Sequence, residues 1–168
     1  MKKIVMLLLI ALAGIYGTAA VNLSESGANR FLNELEHLSM SGHGKEYCEH
    51  LHEDLTVSIQ DHTADPPANF VGGRAEFCGF VSEAAKGMSL LRAGTHVTRD
   101  DFTVTRSWLH PWTAQVSYKE DRITTFPLVN QSAHTQGEDK LTLVQTFGGV
   151  RMLHLESRSW LAESSAVN

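Results

Sequence analysis

The chain is poor in the residues that staple or stiffen a small protein: it has 2 cysteines and 4 prolines in 168 residues. So few cysteines exclude a disulfide-dense scaffold, and a chain of this length can rest on a hydrophobic core instead. Neither cysteine belongs to a CxxC pair, so their spacing offers nothing to a structural metal. Basic residues are also scarce, with 14 Lys and Arg against 19 Asp and Glu, a formal charge of −5. Without a basic stripe to displace counterions, the composition argues against nucleic acid as a partner. It argues equally against electrostatic attraction to anionic membranes. There is no phosphate-binding glycine loop, dinucleotide glycine motif or Ser-His-Asp order, and no cofactor is implied.

Long apolar runs are missing too, with one exception at the start. Lys2 and Lys3 precede the unbroken run Ile4 to Ile15, and Gly17-Thr18-Ala19-Ala20 follows it. A positive start, a short apolar core and small residues make a secretory signal peptide over residues 1–20. The run is too short for a spanning helix, and no cysteine follows it to carry a lipid. The mature protein is expected to begin near Val21, to be periplasmic or secreted, and to have no membrane association once the signal is gone. Residues 21–161 then form one domain, with residues 162–168 a frayed tail.

Along the mature chain, Ala28, Phe31, Leu32, Leu35 and Leu38 recur at helical spacing, which predicts a helix over 24–40. Ser24 or Ser26 can cap it, and Ser41-Gly42-His43-Gly44 ends it. A short helix, 45–53, carries Tyr47, Cys48 and Leu51 on its apolar side. The period then becomes two, with Leu55, Val57 and Ile59 in one row, a half-buried strand. A loop through Asn69 contains Pro66-Pro67. Gly72-Gly73 opens a third helix, 74–86, with Phe77, Cys78 and Val81 inward and Gly87 as its stop. Strands follow over 92–108, 112–126, 140–147 and 150–161, with 127–139 a loop and Gly148-Gly149 a hairpin turn. The two cysteines lie on apolar helix faces in an exported chain. That points to a Cys48–Cys78 disulfide, the alternative being two separately buried thiols.

Helix, helix, strand, helix and then long antiparallel strands make an α+β fold. This order resembles the nuclear transport factor 2-like superfamily, which includes ketosteroid isomerases and polyketide-cyclase-like proteins. Three stretches carry the resemblance: Gly42 to Ile59, Gly73-Arg74-Ala75-Glu76-Phe77, and the terminal hairpin Leu141 to Trp160. The resemblance implies a cone-like curved antiparallel sheet with three N-terminal helices packed on its concave face. It also implies an apolar cavity, a possible small apolar ligand, and a homodimer built on the outer face of the sheet.

In isomerase-like members a carboxylate just after the first strand is the general base. Asp61 stands near that place, with His62 beside it. Such a group needs a pKa moved towards neutrality and donors for the developing oxyanion. The first helix has no tyrosine, and the late strand Leu141-Thr142-Leu143-Val144-Gln145 has no acid, so a polar loop end is the competing reading. His50 and His52 form an HxH, but on a helix they point apart, and no metal is assigned. Phe102, Arg106 and Trp108 alternate on one strand, and Met152, His154 and Glu156 on another. If these rows face inward they line the cavity; otherwise Glu156 simply pairs with Arg158.

The leading expectation is an exported small-molecule-binding or interaction module with an apolar cavity. The alternative is a small lyase, isomerase or cyclase acting on an apolar carbonyl compound through Asp61 or His62.

Overall fold

A computed structural model describes residues 17–162. The expected leader through residue 16 and the tail from residue 163 lie outside the described residues. Residues 17–22 are helical, and Ala19 and Leu23 are buried. Helix α1 (Glu25–Met40) starts where Ser24 Oγ accepts the Gly27 N–H at 3.2 Å. It turns Ala28, Phe31, Leu32 and Leu35 to the core. Gly42, at φ +84°, takes the left-handed conformation that lets the chain reverse. Helix α2 (Gly44–Glu49) follows at once. A Cβ at Gly44 would meet the Ser82 Cα at 2.5 Å, so only glycine permits this helix to lie so close to the third one. The third helix, α3 (Arg74–Leu90), buries Phe77, Val81 and Ala85. Cys48 of α2 and Cys78 of α3 form the expected disulfide, with Cα atoms 5.5 Å apart, inside the range a disulfide can span.

The strands are β1 (Leu51–Asp61), β2 (Ala68–Gly73), β3 (Gly94–Ser107), β4 (His110–Phe126), β5 (Gln131–Thr146) and β6 (Gly149–Leu161). They form one sheet in the order β2-β1-β6-β5-β4-β3. All neighbours are antiparallel except β1 and β6, which run parallel. The sheet is curved and unclosed, with the helices against its concave face. Leu51, Val116, Leu143 and Met152 are fully buried there, together with Leu23.

Five expectations about local structure are corrected. The second helix stops at Glu49, so His52 belongs to β1, whose Leu51 is drawn into the core. The third helix passes through Gly87 to Leu90, because a glycine inside a helix costs only about 1 kcal/mol and Met88 beyond it faces a cavity. Residues 68–73 are a sixth strand, pairing along β1 from Asp61 to Thr56. The polar stretch 127–139 is a loop only at its start: from Gln131 it is strand, paired on one side to β4 and from Thr135 also to β6. Its backbone hydrogen bonds are supplied by neighbours whatever the side chains are. The terminal hairpin turns at Phe147-Gly148, one residue earlier than expected, with Thr146 opposite Gly149.

Two bulges set which side chains face inward. Asp101 and Phe102 together oppose Tyr118, with Asp101 at φ +52°. Leu153 is extra in β6, since Met152 pairs with Leu143 and His154 with Thr142. Each bulge shifts the two-residue alternation by one and so exchanges the two faces.

Candidate functional site

A cavity of about 270 Å³ lies between α1, α2, α3 and the inner face of the sheet. Its apolar wall includes Leu35, Phe77, Phe80, Val81, Leu141, Met152 and Leu155. Its polar wall comes from the sheet: Arg99 of β3, Tyr118, Glu120 and Arg122 of β4, Asp139 of β5 and Ser157 of β6. On β4 the inward row is Ala114, Val116, Tyr118, Glu120, Arg122 and Thr124. The apolar phase of the strand therefore runs on into charged residues beneath the helices.

Those charges are paired. Arg99 Nη2 donates to Glu36 Oε2 at 2.9 Å, with both side chains largely buried. Its Nη1 donates to Asn29 and Asn33 of α1, and the guanidinium lies 5.7 Å from the Tyr118 ring centre. Arg122 Nε donates to Glu120 Oε1 at 2.7 Å. Asp139 is different. Burial raises its pKa, the Glu120 charge adds to that, and hydrogen bonds from Ser157 and Tyr118 together with the Arg122 charge oppose it without cancelling it. Burial likewise raises the Tyr118 and Tyr47 phenols, with the charge of Asp139 contributing to both. The cavity thus holds a carboxyl reluctant to ionise beside two phenols that stay protonated. A carboxyl raised in this way holds its proton to higher pH than a free one, while phenolic O–H groups can donate to a ligand oxygen.

Of the side chains expected to line a cavity, Met152 does so. His154 and Glu156 do not, because the extra residue Leu153 moves them to the outer face. There they border a shallow polar depression with Thr105, Gln115, Lys140 and Thr142. His154 Nδ1 lies 2.7 Å from Thr56 Oγ1, and Glu156 Oε1 is 3.5 Å from Arg158 Nη2. Phe102 is half-buried and stacks on Tyr118 at 5.6 Å, but borders a separate surface depression. Arg106 donates to the Ala20 carbonyl at 3.3 Å, and Trp108 is exposed in the β3–β4 turn.

Asp61 accepts from the Thr63 N–H at 2.9 Å and from Ser159 Oγ at 3.0 Å. Slight burial pushes its pKa up, but these hydrogen bonds outweigh it and hold the carboxyl below its ordinary value. His62 is exposed, and neither residue lines the cavity. The structure therefore brings together a different set, centred on Asp139. The expectation of an acid-free late strand fails because that strand starts at Gln131 rather than Lys140.

His50 is turned towards Glu34, 3.6 Å away, and meets the edge of Phe31. His52, Glu53 and Asp54 hold donor atoms within 4.8 Å of one another on the rim of β1. His52 Nδ1 already accepts the Asp54 N–H at 3.2 Å, however, and Glu53 and Asp54 are exposed.

The chain matches no known family model and no curated protein. Solved structures resemble it in fold. A candidate scytalone dehydratase from Novosphingobium aromaticivorans superposes with a TM-score of 0.60 at 16% identity, over 80% of this chain and 82% of that one. An NTF2-like protein with a cystatin-like fold from the same organism gives 0.52 at 17% identity, over 84% and 92%. The β subunit of benzoate 1,2-dioxygenase from Burkholderia mallei gives 0.63 at 8% identity, over 85% and 93%. Identities this low establish a shared fold and no shared activity.

Proposed function

We propose, with the nuclear transport factor 2-like fold as premise, that the domain binds a small, largely apolar compound carrying an oxygen function. The compound occupies the cavity above Asp139. The observation that carries this reading is the position of Asp139 among Tyr118, Ser157 and Arg122 on the sheet side of a pocket whose helix side is largely apolar. Apolar walls hold the body of a ligand, and a few polar groups fix its orientation. The cavity suits a compound of one or two rings rather than a peptide or a sugar chain. The export expected from the leader remains part of the proposal, and N-terminal sequencing of native protein tests it: a start near Val21 is expected.

A second reading has its own support. A carboxyl with a raised pKa next to protonated phenols is suited to moving a proton while a carbonyl oxygen is held, as in dehydration, enolisation or cyclisation. The scytalone dehydratase description of one structural neighbour agrees with chemistry of that class. The acid-base group would then be Asp139 rather than Asp61 or His62.

One experiment separates the two readings. Native mass spectrometry of protein purified from its own host is expected to show a retained small molecule. A panel of apolar ketones, enones and epoxides is then assayed with wild type, Asp139→Asn and Tyr118→Phe. Turnover that falls a hundredfold or more in either variant, about 2.7 kcal/mol of barrier, identifies an enzyme. Ligand binding weakened by the same substitutions, with no turnover, identifies a binding protein. A ligand whose affinity is indifferent to both substitutions overturns the placement of the site.

A further inference from the structure

The cavity wall holds hydrogen-bond donors that the protein itself does not use. Arg122 of β4 donates through Nε to Glu120 Oε1 at 2.7 Å, and none of the described residues accepts from its Nη groups. Tyr47 reaches the same cavity from α2. Its ring meets Phe77 edge-on with centres 6.3 Å apart, and its hydroxyl has no hydrogen-bond partner among the described residues. It stands near enough to Asp139 and Arg122 to feel the charge of both. Arg99 adds to the excess: its side chain is 9% exposed, and its Nε is buried and unpartnered among the described residues.

The acceptors on this wall are already engaged. Glu36 Oε2 receives Arg99, Glu120 Oε1 receives Arg122, and Asp139 receives Ser157 and Tyr118. Two arginines face two glutamates, so their charges balance while Asp139 keeps its proton. What the arrangement lacks is a group that only accepts. The sheet also leaves a gap there. The inward position of β5 opposite Glu120 is Gly137, two residues before Asp139, so no side chain rises from the floor at that point.

We propose that the compound held here is an apolar carboxylic acid, its carboxylate received by the Arg122 Nη groups and the Tyr47 hydroxyl. That choice of ligand rests on the cavity being the binding site, and it names the oxygen function. A carboxylate offers only lone pairs, accepts an arginine fork side by side, and has room for a phenol as well. Burying its charge needs an opposite charge beside it. Arg122 supplies one, held in place by Glu120 through Nε. Asp139 holds its proton to higher pH than a free carboxyl, which lessens repulsion of the incoming anion. An ammonium group would add donors to a wall short of acceptors. An alcohol brings an O–H of its own and no charge to meet Arg122. The body of the acid lies against Phe77, Phe80 and Val81, where Phe80, 54% exposed, still has apolar surface to cover.

The test compares probes built on one skeleton: naphthalene-2-carboxylate, 2-naphthalenemethanol and 2-naphthylmethylamine, each titrated into the purified protein by calorimetry. For wild type the carboxylate is expected to bind about tenfold more tightly than the alcohol, with the amine weakest. Tyr47→Phe and Arg122→Gln are each expected to bring the carboxylate down to the level of the alcohol, whose own affinity changes little. Arg122→Lys keeps the charge without the fork and is expected to recover part of the preference. Tyr47→Phe removes a single oxygen and keeps the ring against Phe77, so it reads the contact even where an Arg122 variant fails to fold. An alcohol or amine that binds as tightly as the carboxylate overturns the proposal, and so does a carboxylate preference that survives either substitution. In those cases an alcohol whose binding still depends on Asp139 leaves the cavity as the binding site. Failure of all the probes to bind also overturns the proposal, and the cavity then stands or falls on the compound retained from the host.

Discussion

Asp139 and Asp61 show how place along a sheet decides what a carboxyl is. Both belong to strands of the same sheet, yet burial raises the pKa of one, while hydrogen bonds from Thr63 and Ser159 lower that of the other. The consequences for stability have opposite signs. Asp139 favours the fold when protonated, so its contribution is complete below the ordinary carboxylate pKa and is lost as pH rises through the raised value. Asp61 favours the fold when ionised, so its contribution is lost as pH falls through the depressed value. Asp139→Asn removes the first effect. Thermal melts from about pH 4 upward are expected to show wild type losing stability relative to the variant, by no more than roughly 1.4 kcal/mol per pH unit. Parallel melting curves would mean that Asp139 ionises freely in the fold. Its position was not legible in the sequence. The stretch Gln131 to Glu138 has no apolar alternation, so nothing marks it as strand until the partners on either side are known. Glu120 and Arg122 did carry a signal, since they continue the inward phase of Ala114, Val116 and Tyr118 on a strand that was correctly placed. Charged residues in an apolar phase point to a functional interior.

Among the elements, helix α1 was readable almost to the residue, because capping and helical spacing are local properties that Ser24 and the Phe31–Leu32–Leu35 stripe display openly. The bulge at Leu153 was not readable. An extra residue is defined against a partner strand, and a single strand has no way to display it. One skipped residue moved His154 and Glu156 from the expected cavity wall to the outer face. Helices α2 and α3 are the most heavily constrained pair, joined by the Cys48–Cys78 disulfide and pressed together at Gly44. The disulfide closes a loop with a sequence separation of 30. Replacing both cysteines with serine is expected to lower stability by roughly 3–4 kcal/mol in the chain-entropy view, read from the urea midpoint at unchanged slope. A loss below about 1 kcal/mol would mean that the helix contact holds its geometry without the covalent tie, with α3 already anchored by Phe77 and Val81.

For the whole molecule, the outer face of the sheet is the surface on which a homodimer was expected. It presents Thr56, Thr105, Gln115, Thr142 and His154 rather than an apolar patch. A dimer there would be wet and polar, and would need to bury at least about 1,000 Å² in total. Sedimentation at tens of micromolar protein is expected to show a reversible dimer that Gln115→Lys with Thr142→Lys disperses; a monomer throughout would remove the dimer from consideration. The strand order carries a different consequence. The first long strand, β1, completes its ladder against β6, the last strand, with Thr56 opposite His154. No intermediate length of chain can supply that neighbour, because β2 occupies only the other side. The sheet is therefore completed only after the final segment is available, and contacts so distant along the chain make for slow folding. Until then the three helices have half a floor to rest on. A polypeptide arranged in this way stays open while it is being made, which agrees with the export through a narrow pore proposed from its leader.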